Sequence, residues 1–433
     1  MNVLRRGACP SIADPMPTGD GLLARLIPDA PMPLNVFVAL CDAAQEHGNG
    51  IVEITQRGSF QFRGLRSESV TPFADAVTAL GLGAKVGPPI LTPPLLGLQA
   101  PGSIDLQALA AALRSKLTND IALATLSPKV SLLIDGEGIL HLDDVMADVR
   151  VRASNHSRLH LSIAGTDATA TSLGWVESHQ AVSAILNLLT AIAARAPAAR
   201  ARDLVNDFNL EAIRASLADV LVTDAPPPPR SPSEPIGMHA LNKGQVACGV
   251  ALPFGHTDAR TLVQLAASAL RCGVTAIRPL PGRALLTLGL TEVTANEFSA
   301  AAAAQGFIVQ ATDVRRYVIA CPGTPACGSA MLSTRQLAPA IADVAGSLLN
   351  GSTIIHLSGC TKGCAHPKAA ALTLVGPDRI VVQGRANDAP HGNITPASLL
   401  AGLGRLQADP AKSPLISGRA ARVVESLGGE IST

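Results

Sequence analysis

Four of the eight cysteines lie in two glycine-rich segments of the C-terminal half of the chain. Cys321 and Cys327 are separated by five residues in ACPGTPACGSA, and Cys360 and Cys364 by three residues in SGCTKGCAHP. Thiolates are soft ligands that suit iron–sulfur clusters or zinc, and four of them can hold a [4Fe-4S] cluster. We therefore expect these residues to be metal ligands, and a [4Fe-4S] cluster is the cofactor that fits them best.

Two alternatives compete with this interpretation. Structural zinc sites usually have about two to four residues between paired ligands, so the five-residue spacing suits zinc less well. The four cysteines could instead be small buried core residues, although paired spacing within glycine-rich loops is unusual for packing alone.

The composition is that of an ordinary globular protein with 433 residues, 47% of them hydrophobic and 15% charged. A formal net charge of +1 and only 2% aromatic residues argue against nucleic acid or a membrane surface as a partner. The N-terminal segment has no apolar run of signal-peptide length, and the apolar residues 182–194 are too few to span a bilayer. We expect a cytoplasmic protein, in which clustered cysteines favour metal binding over disulfides.

A proline-rich segment, DAPPPPRSPSEP, divides the chain at residues 224–235. We expect it to be an extended connector, because proline fits neither a helix interior nor a central strand. On each side the apolar pattern predicts a β-α-β-β-α unit of ferredoxin-like type. The predicted strands are residues 22–27, 51–55, 59–62, 245–252, 275–278 and 284–288, and the predicted helices are residues 36–44, 70–80, 258–270 and 295–304.

Each unit is followed by a further helix and strand, and these predict a second pair of related domains. The helix and strand are residues 106–116 and 130–134 in the first half, and residues 336–349 and 353–357 in the second. The first strand leads into DGEG and the second into SGCTKGC, so the halves share a plan but only one has the cysteines. We predict a duplicated α+β chain with these segments: ferredoxin-like half-domain 1 (15–85), an α/β domain without a cluster (100–222), a linker (223–237), ferredoxin-like half-domain 2 (238–310) and an α/β domain carrying the cysteines (311–433).

The C-x5-C and C-x3-C pairs within this duplicated plan resemble the sulfite and nitrite reductase hemoproteins. In that family four cysteines hold a [4Fe-4S] cluster, and the last one also bridges to siroheme iron. The resemblance implies that Cys364 is the catalytic cysteine that faces a tetrapyrrole. It also implies a sulfite reductase-like architecture, with two ferredoxin-like half-domains and two α/β domains related by pseudo-two-fold symmetry.

The same resemblance suggests residues that bind the carboxylates of a tetrapyrrole. The segment ITQRGSFQF is similar to the family stretch whose arginine, here Arg57, contacts a macrocycle carboxylate, and LSPK is similar to the stretch that ends in a binding lysine, here Lys129. Arginine suits this role because its guanidinium binds a carboxylate through two parallel hydrogen bonds. Further candidates for substrate binding lie on or beside predicted strands: Arg25, Arg63, Arg278 and Arg283.

Two departures favour a smaller branch of this superfamily, which acts in aerobic cobalamin biosynthesis. The reductases usually have a second lysine where this chain has Ser131, and an asparagine where it has Lys362. Fewer cations would then line the site than an inorganic anion favours. The chain is also similar to that branch in PMPTGDGLL at residues 15–23, with Cys9 and Pro10 before it, and in SGCTKGCAHP.

Membership of that branch implies oxygen-dependent hydroxylation of precorrin-3A with lactone formation, giving precorrin-3B. Because the macrocycle carries no metal, it also implies a mononuclear non-haem iron, for which His356 and His366 beside the second cysteine loop are candidates. His141, His156 and His160 are weaker candidates. The chain has no glycine-rich dinucleotide fingerprint after a predicted strand, so we expect the electrons to come from an external electron-transfer protein or reductase.

Two other functions stay open from the sequence. A siroheme-dependent sulfite or nitrite reductase would contain siroheme as well as the cluster. A non-catalytic carrier of a tetrapyrrole or of an iron–sulfur cluster would hold the cluster but would not react with O2.

Overall fold

The computed structural model describes residues 10–83, 87–99, 102, 104–120, 123, 126–153, 157–206, 210–408, 415 and 420–431. Cys9 and His156 lie outside the described residues. The first half contains β1 (Met16–Thr18), β2 (Gly21–Leu26), β3 (Met32–Pro33), α1 (Leu34–His47), β4 (Ile51–Ile54), β5 (Phe60–Leu65), α2 (Val70–Ala79), β6 (Ile90–Leu91), α3 (Leu106–Asn119), β7 (Leu132–Asp135), β8 (Ala147–Ala153), β9 (Arg158–Gly165), β10 (Thr171–Glu177), α4 (Ala181–Ala193), α5 (Ala201–Asn206) and α6 (Leu210–Ser216).

The second half repeats this order. It contains β11 (Gly237–Ala240), β12 (Val246–Ala251), β13 (His256–Asp258), α7 (Ala259–Arg271), β14 (Ala276–Leu280), β15 (Ala284–Leu290), α8 (Glu292–Ala304), β16 (Val318–Ala320), α9 (Thr334–Ala345), β17 (Ile355–Ser358), β18 (Ala370–Val375), β19 (Arg379–Gly384), β20 (Gly392–Asn393), α10 (Pro396–Gln407), α11 (Ala420–Leu427) and β21 (Glu430–Ile431). No described helix is long and apolar enough to cross a membrane.

The two ferredoxin-like half-domains exchange a short strand with each other. Their sheets have the orders β1-β2-β5-β4-β13 and β11-β12-β15-β14-β3, so β13 of the second half completes the first sheet and β3 of the first half completes the second. Each exchanged strand leads directly into a helix, and these helices, α1 and α7, pack against each other. The reciprocal exchange confirms the duplication. The sequence did not predict β3 and β13, because two- and three-residue strands have too few residues for a periodic pattern.

A shared core fills the space between these two sheets and their helices. Along α1 the buried residues Phe37, Leu40, Cys41 and Ala44 follow the helical repeat, and along β5 the buried Phe60 and Phe62 alternate with more exposed positions. The rings of Phe62 and Phe73 lie 5.2 Å apart. Full burial of such a side chain stabilises the fold by roughly 1.5–3 kcal/mol, so this core joins the two half-domains strongly.

The other two sheets also share one topology. In β10-β9-β8-β7-β6 the pairs β6–β7 and β7–β8 are parallel and the rest antiparallel, and in β16-β17-β18-β19-β20-β21 the pairs β16–β17 and β17–β18 are parallel. β7 and β17, the middle strands of the parallel sets β6-β7-β8 and β16-β17-β18, are buried along their whole length. The predicted duplicated α+β architecture is therefore confirmed, and β7 and β17 are equivalent strands.

Residues 146–219, whose sequence contains no functional motif, form β8, β9, β10 and three helices. In β8, Arg150 and Arg152 are buried among apolar residues. Both arginines are compensated, since Arg152 donates to Asp167 at 2.8 Å and Arg150 to the carbonyl of Val145 at 2.5 Å.

Candidate functional site

The four cysteines meet at the carboxyl ends of two parallel strands. Cys321 directly follows β16, and Cys360 lies two residues after β17. Cys321 is buried, Cys327 and Cys360 are half-buried, Cys364 is exposed, and all four are free thiols. Burial and then the neighbouring thiolates of Cys360, Cys321 and Cys327 raise the pKa of Cys364, so the four sulfurs lie close enough to interact. This donor set fits a metal cluster with thiolate ligands.

Close backbone packing holds the two cysteine loops against each other. The N–H of Gly359 donates to the Sγ of Cys321 at 3.1 Å, and the Thr334 hydroxyl donates to the Cys321 carbonyl at 2.5 Å. A Cβ on Gly359 would lie 2.5 Å from the Cβ of Ala330, so only glycine fits there. The Nζ of Lys362 lies 3.0 Å from the Ser329 hydroxyl and also links the loops.

The turn between β1 and β2 packs against the first cysteine loop, which carries Cys321 and Cys327. The N–H of Gly19 donates to the Ala326 carbonyl at 3.2 Å, and a Cβ on Gly19 would overlap the carbonyl oxygen of Pro325. Asp20 accepts two hydrogen bonds from Arg63, at 3.0 and 2.8 Å, and Arg63 also donates to the Ala326 carbonyl. The PMPTGDG segment therefore supports the loop that carries Cys327.

Arg63 belongs to a buried chain of ion pairs and does not line an open pocket. Its side chain is 2% exposed, lies 3.3 Å from Glu53 and is bound by Asp20, while Glu53 also accepts from Arg335 of α9. Burial opposes its charge, but Glu53, Asp20 and the Cys327 thiolate raise the pKa of Arg63. Arg63 uses its donors within the protein, and its predicted role in substrate binding stays a prediction.

Two hairpin turns, one from each half-domain, meet beside the cysteine loops. The N–H of Gly282 donates to the Gln56 carbonyl at 3.1 Å, and Arg57 forms an isolated bridge with Pro281. Arg283, in the second turn, donates to the Ala365 carbonyl at 3.2 Å and so reaches the residue after Cys364. Burial lowers the pKa of Arg283 to about 10, and Glu53 opposes this shift.

A narrow cleft between the two halves brings two predicted substrate residues together. Arg57 and Arg278 both line it, with Ile90, Leu142 and Pro281 among the apolar wall residues. Arg278 donates to the Pro94 carbonyl at 3.3 Å, and burial lowers its pKa to about 10 against the effect of Asp29. The cleft therefore offers two cations and an apolar wall.

Arg25 and Lys129 are not among the residues that line this cleft. Arg25 is half-buried on β2, where it pairs with Gln61 of β5. Lys129 is exposed in the turn before β7, at the opposite end of that strand from Asp135.

Two of the candidate histidines lie beside the second cysteine loop. His356 on β17 is fully buried, and neither of its ring nitrogens has a hydrogen-bond partner among the described residues. Its ring lies 5.6 Å from that of His366, whose Nε2 is 3.4 Å from the Ala369 carbonyl. Burial, then His366 and Arg283, lower the pKa of His356 to about 3. The imidazole is thus neutral, the form that binds a metal.

The other described histidine candidates have structural partners in the first half. His160 packs 5.2 Å from Trp175 and lies 2.8 Å from the Ser172 hydroxyl, and the Nε2 of His141 lies 2.8 Å from the Ser231 carbonyl. Both belong to the domain equivalent to the one with the cysteines.

Sequence reasoning missed three residues of the site. Asp20, Glu53 and Arg335 form the ion pairs around Arg63 but come from β1–β2, β4 and α9. The PMPTGDG segment did single out Asp20, though only as a marker of resemblance. Glu53 carried one signal, a lone carboxylate in the apolar strand β4, and a buried charge of this kind needs a partner.

Comparison with known proteins places this chain in the nitrite and sulfite reductase superfamily. The nitrite/sulfite reductase ferredoxin-like half domain matches residues 32–80. A solved structure of Mycobacterium tuberculosis NirA protein superimposes with a TM-score of 0.73 over 94% of this chain and 84% of that one, at 19% identity. A ferredoxin–nitrite reductase of Synechococcus elongatus is 24% identical over 82% of this chain and 76% of its own length.

Within that superfamily one relative is much more similar. Precorrin-3B synthase of Sinorhizobium sp. is 38% identical over 413 residues, which cover 93% of this chain and 89% of that protein. The chain belongs to the precorrin-3B synthase family.

Proposed function

We propose that this protein converts precorrin-3A to precorrin-3B by oxygen-dependent hydroxylation and lactone formation, in aerobic cobalamin biosynthesis. The observation that carries the proposal is the 38% identity to a precorrin-3B synthase along almost the whole chain. The four free cysteines on adjacent loops support a redox enzyme of this kind. We place the enzyme in the cytoplasm. We also propose the domain boundaries that the sequence predicts.

We assign Cys321, Cys327, Cys360 and Cys364 as ligands of a [4Fe-4S] cluster, which supplies one-electron transfer when bound. Cys364 is the exposed member of the set and is placed nearest to the substrate. An external electron-transfer protein provides the electrons.

A mononuclear non-haem iron fits best at His356 and His366. The buried His356 ring has two nitrogens without described partners, and an unsatisfied buried polar group costs roughly 1–3 kcal/mol. A metal bound at one of these nitrogens would remove the cost at that atom. The neutral imidazole and the second ring beside it suit this role.

Substrate carboxylates are bound by the arginines of the two meeting hairpin turns. Arg57 and Arg278 line the cleft, and Arg283 connects its turn to the cysteine loop. A precorrin presents several acetate and propionate groups around an apolar ring, which matches cations set into an apolar wall. Arg25 and Lys129 are also proposed to contact the substrate, outside the cleft. Arg63 is not proposed as a substrate ligand.

The first experiment is anaerobic purification followed by an absorption spectrum and assays of iron, sulfide and siroheme. We expect iron and sulfide without siroheme, and precorrin-3B on addition of precorrin-3A, O2 and a reductant. Cys360→Ser should lose the cluster, whereas Cys272→Ser, at a half-buried thiol outside the site, should keep it. Stoichiometric siroheme would show a sulfite or nitrite reductase, and an intact cluster without turnover would show a carrier.

A further inference from the structure

Arg63, the buried cation beside the first cysteine loop, has an apolar residue at its equivalent position in the other half-domain. In β5, Arg63 precedes Gly64, whose φ is 70°, and in β15 Leu288 precedes Gly289, whose φ is 93°. The strand orders of the two sheets are also the same. Arg63 and Leu288 therefore occupy equivalent positions in the duplicated half-domains.

Both positions support the same kind of loop. The loop after β16 carries Ala326 and accepts a hydrogen bond from the Gly19 N–H at 3.2 Å, and the loop after β6 carries Leu98 and accepts one from the Asn242 N–H, also at 3.2 Å. Leu288 lies in a buried apolar cluster with Leu95 of that second loop. The first loop thus contacts an ion-pair network through Arg63, whereas the second has Leu288 in its apolar cluster and accepts a hydrogen bond from Arg278 at the Pro94 carbonyl.

At the position of Arg63, the other half-domain therefore has an apolar side chain in place of a charge. Replacing a buried ion pair by packed apolar side chains is often neutral or stabilising, because desolvation of the ions is costly. The first loop differs from the second in carrying Cys327, whose thiolate raises the pKa of Arg63 and so interacts favourably with its charge.

We propose that Arg63 is a positioning residue of the cluster: its buried positive charge, held by Asp20 and Glu53, fixes the Cys327 loop and favours the reduced state of the cluster. This inference rests on the proposed cluster. Reduction adds one electron to a site that already carries four thiolates, and a cation beside Cys327 stabilises the added charge. Hydrogen bonding and nearby charge are established controls of cluster potential.

The test is the midpoint potential of the substrate-free protein, measured by EPR-monitored redox titration, with iron and sulfide assayed on each sample. Arg63→Leu installs the residue of the equivalent position and should make the potential more negative. We expect the equilibrium constant for reduction to fall about tenfold, which is about 59 mV for a one-electron couple. Asp20→Asn removes a negative charge beside Arg63 and should shift the potential in the positive direction.

A matched control loses a comparable ion pair far from the cysteines. Arg200 binds Asp148 through two hydrogen bonds of 2.8 and 2.7 Å in the first-half α/β domain. Arg200→Leu should lower stability but leave the potential unchanged. Arg63→Lys keeps the positive charge. Its midpoint potential should therefore lie closer to the wild-type value than that of Arg63→Leu, even if the lysine variant binds less iron.

The outcomes separate this inference from the proposed function. Wild-type protein without iron and sulfide would refute the cluster itself. With the cluster present, unchanged potentials in Arg63→Leu and Asp20→Asn would refute the role of Arg63. If Arg63→Leu fails to retain a cluster, Asp20→Asn decides, since an unchanged or more negative potential in that variant overturns the proposal.

Discussion

The guanidinium of Arg230, in the proline-rich linker, lies 2.7 Å from the carboxylate of Asp135 at the end of β7. Asp135 holds the place in the first α/β domain that Ser358, just before the cysteine loop, holds in the second. Ligand atoms of Asp135, His141 and Asp143 lie within 4.8 Å of one another, and Arg230 binds both carboxylates. In the half without the cysteines, the linker arginine Arg230 therefore places a positive charge beside the end of β7.

Arg230→Met should destabilise the protein by about 3–5 kcal/mol at neutral pH, because it leaves the almost completely buried Asp135 without its partner. Burial already raises the pKa of Asp135 against the effect of Arg230. In the variant the folded state therefore binds a proton more readily than the unfolded state, so its stability should fall as the pH rises.

This dependence is measured by denaturant unfolding of the wild-type protein and of Arg230→Met at several values between about pH 5 and about pH 8. Arg202→Met is the control, since Arg202 is 74% exposed and 3.7 Å from Asp203, and it should change stability by less than about 1 kcal/mol. Equal stabilities of the Arg230 and Arg202 variants would refute the role of the linker arginine.

Gly19→Ala should reduce the amount of bound cluster. The added Cβ would overlap the Pro325 carbonyl oxygen and force the Cys327 loop away from the β1–β2 turn. Overpacking of this kind typically costs about 1–3 kcal/mol, and here it acts on a ligand loop. Iron and sulfide per chain should fall by at least about half, in line with that cost. Gly404→Ala is the control, because its Cβ meets nothing within 4 Å, and it should retain full iron content.

Arg278→Ala should weaken precorrin-3A binding by about 10- to 100-fold, the loss expected for a charge-assisted hydrogen bond worth about 1.5–3 kcal/mol. Arg278 lines the cleft with Arg57, and its charge has only partial compensation from Asp29. Binding is measured by absorption titration without O2. Arg66→Ala serves as the control, since Arg66 is 75% exposed beside Glu68, and its affinity should equal that of wild type.

The sequence predicted most of the fold and the cysteine site, but few of the contacts that connect the two. The cysteine spacing and the repeated β-α-β-β-α pattern are local signals, so they predicted the site and the duplication directly. The Asp20–Arg63–Glu53–Arg335 chain is different, because its members come from distant segments that only the folded chain brings together. The prediction of Arg63 as a substrate ligand shows the same limit, because the sequence does not indicate whether an arginine on a strand faces a cleft or a buried carboxylate.

The stability of the protein should fall as the pH decreases from about 6.5 to about 4, in part because of His160. Burial lowers the pKa of His160 to about 4, with a further contribution from Arg152 and opposition from Asp167. A histidine with a lowered folded-state pKa binds its proton mainly in the unfolded state, so acid favours unfolding over that interval. One such group contributes a slope of up to about 1.4 kcal/mol per pH unit. His160→Gln keeps a donor for Ser172 but cannot titrate, and it should flatten the dependence measured by denaturant unfolding. An identical pH profile in wild type and His160→Gln would mean that His160 is not a source of the acid sensitivity.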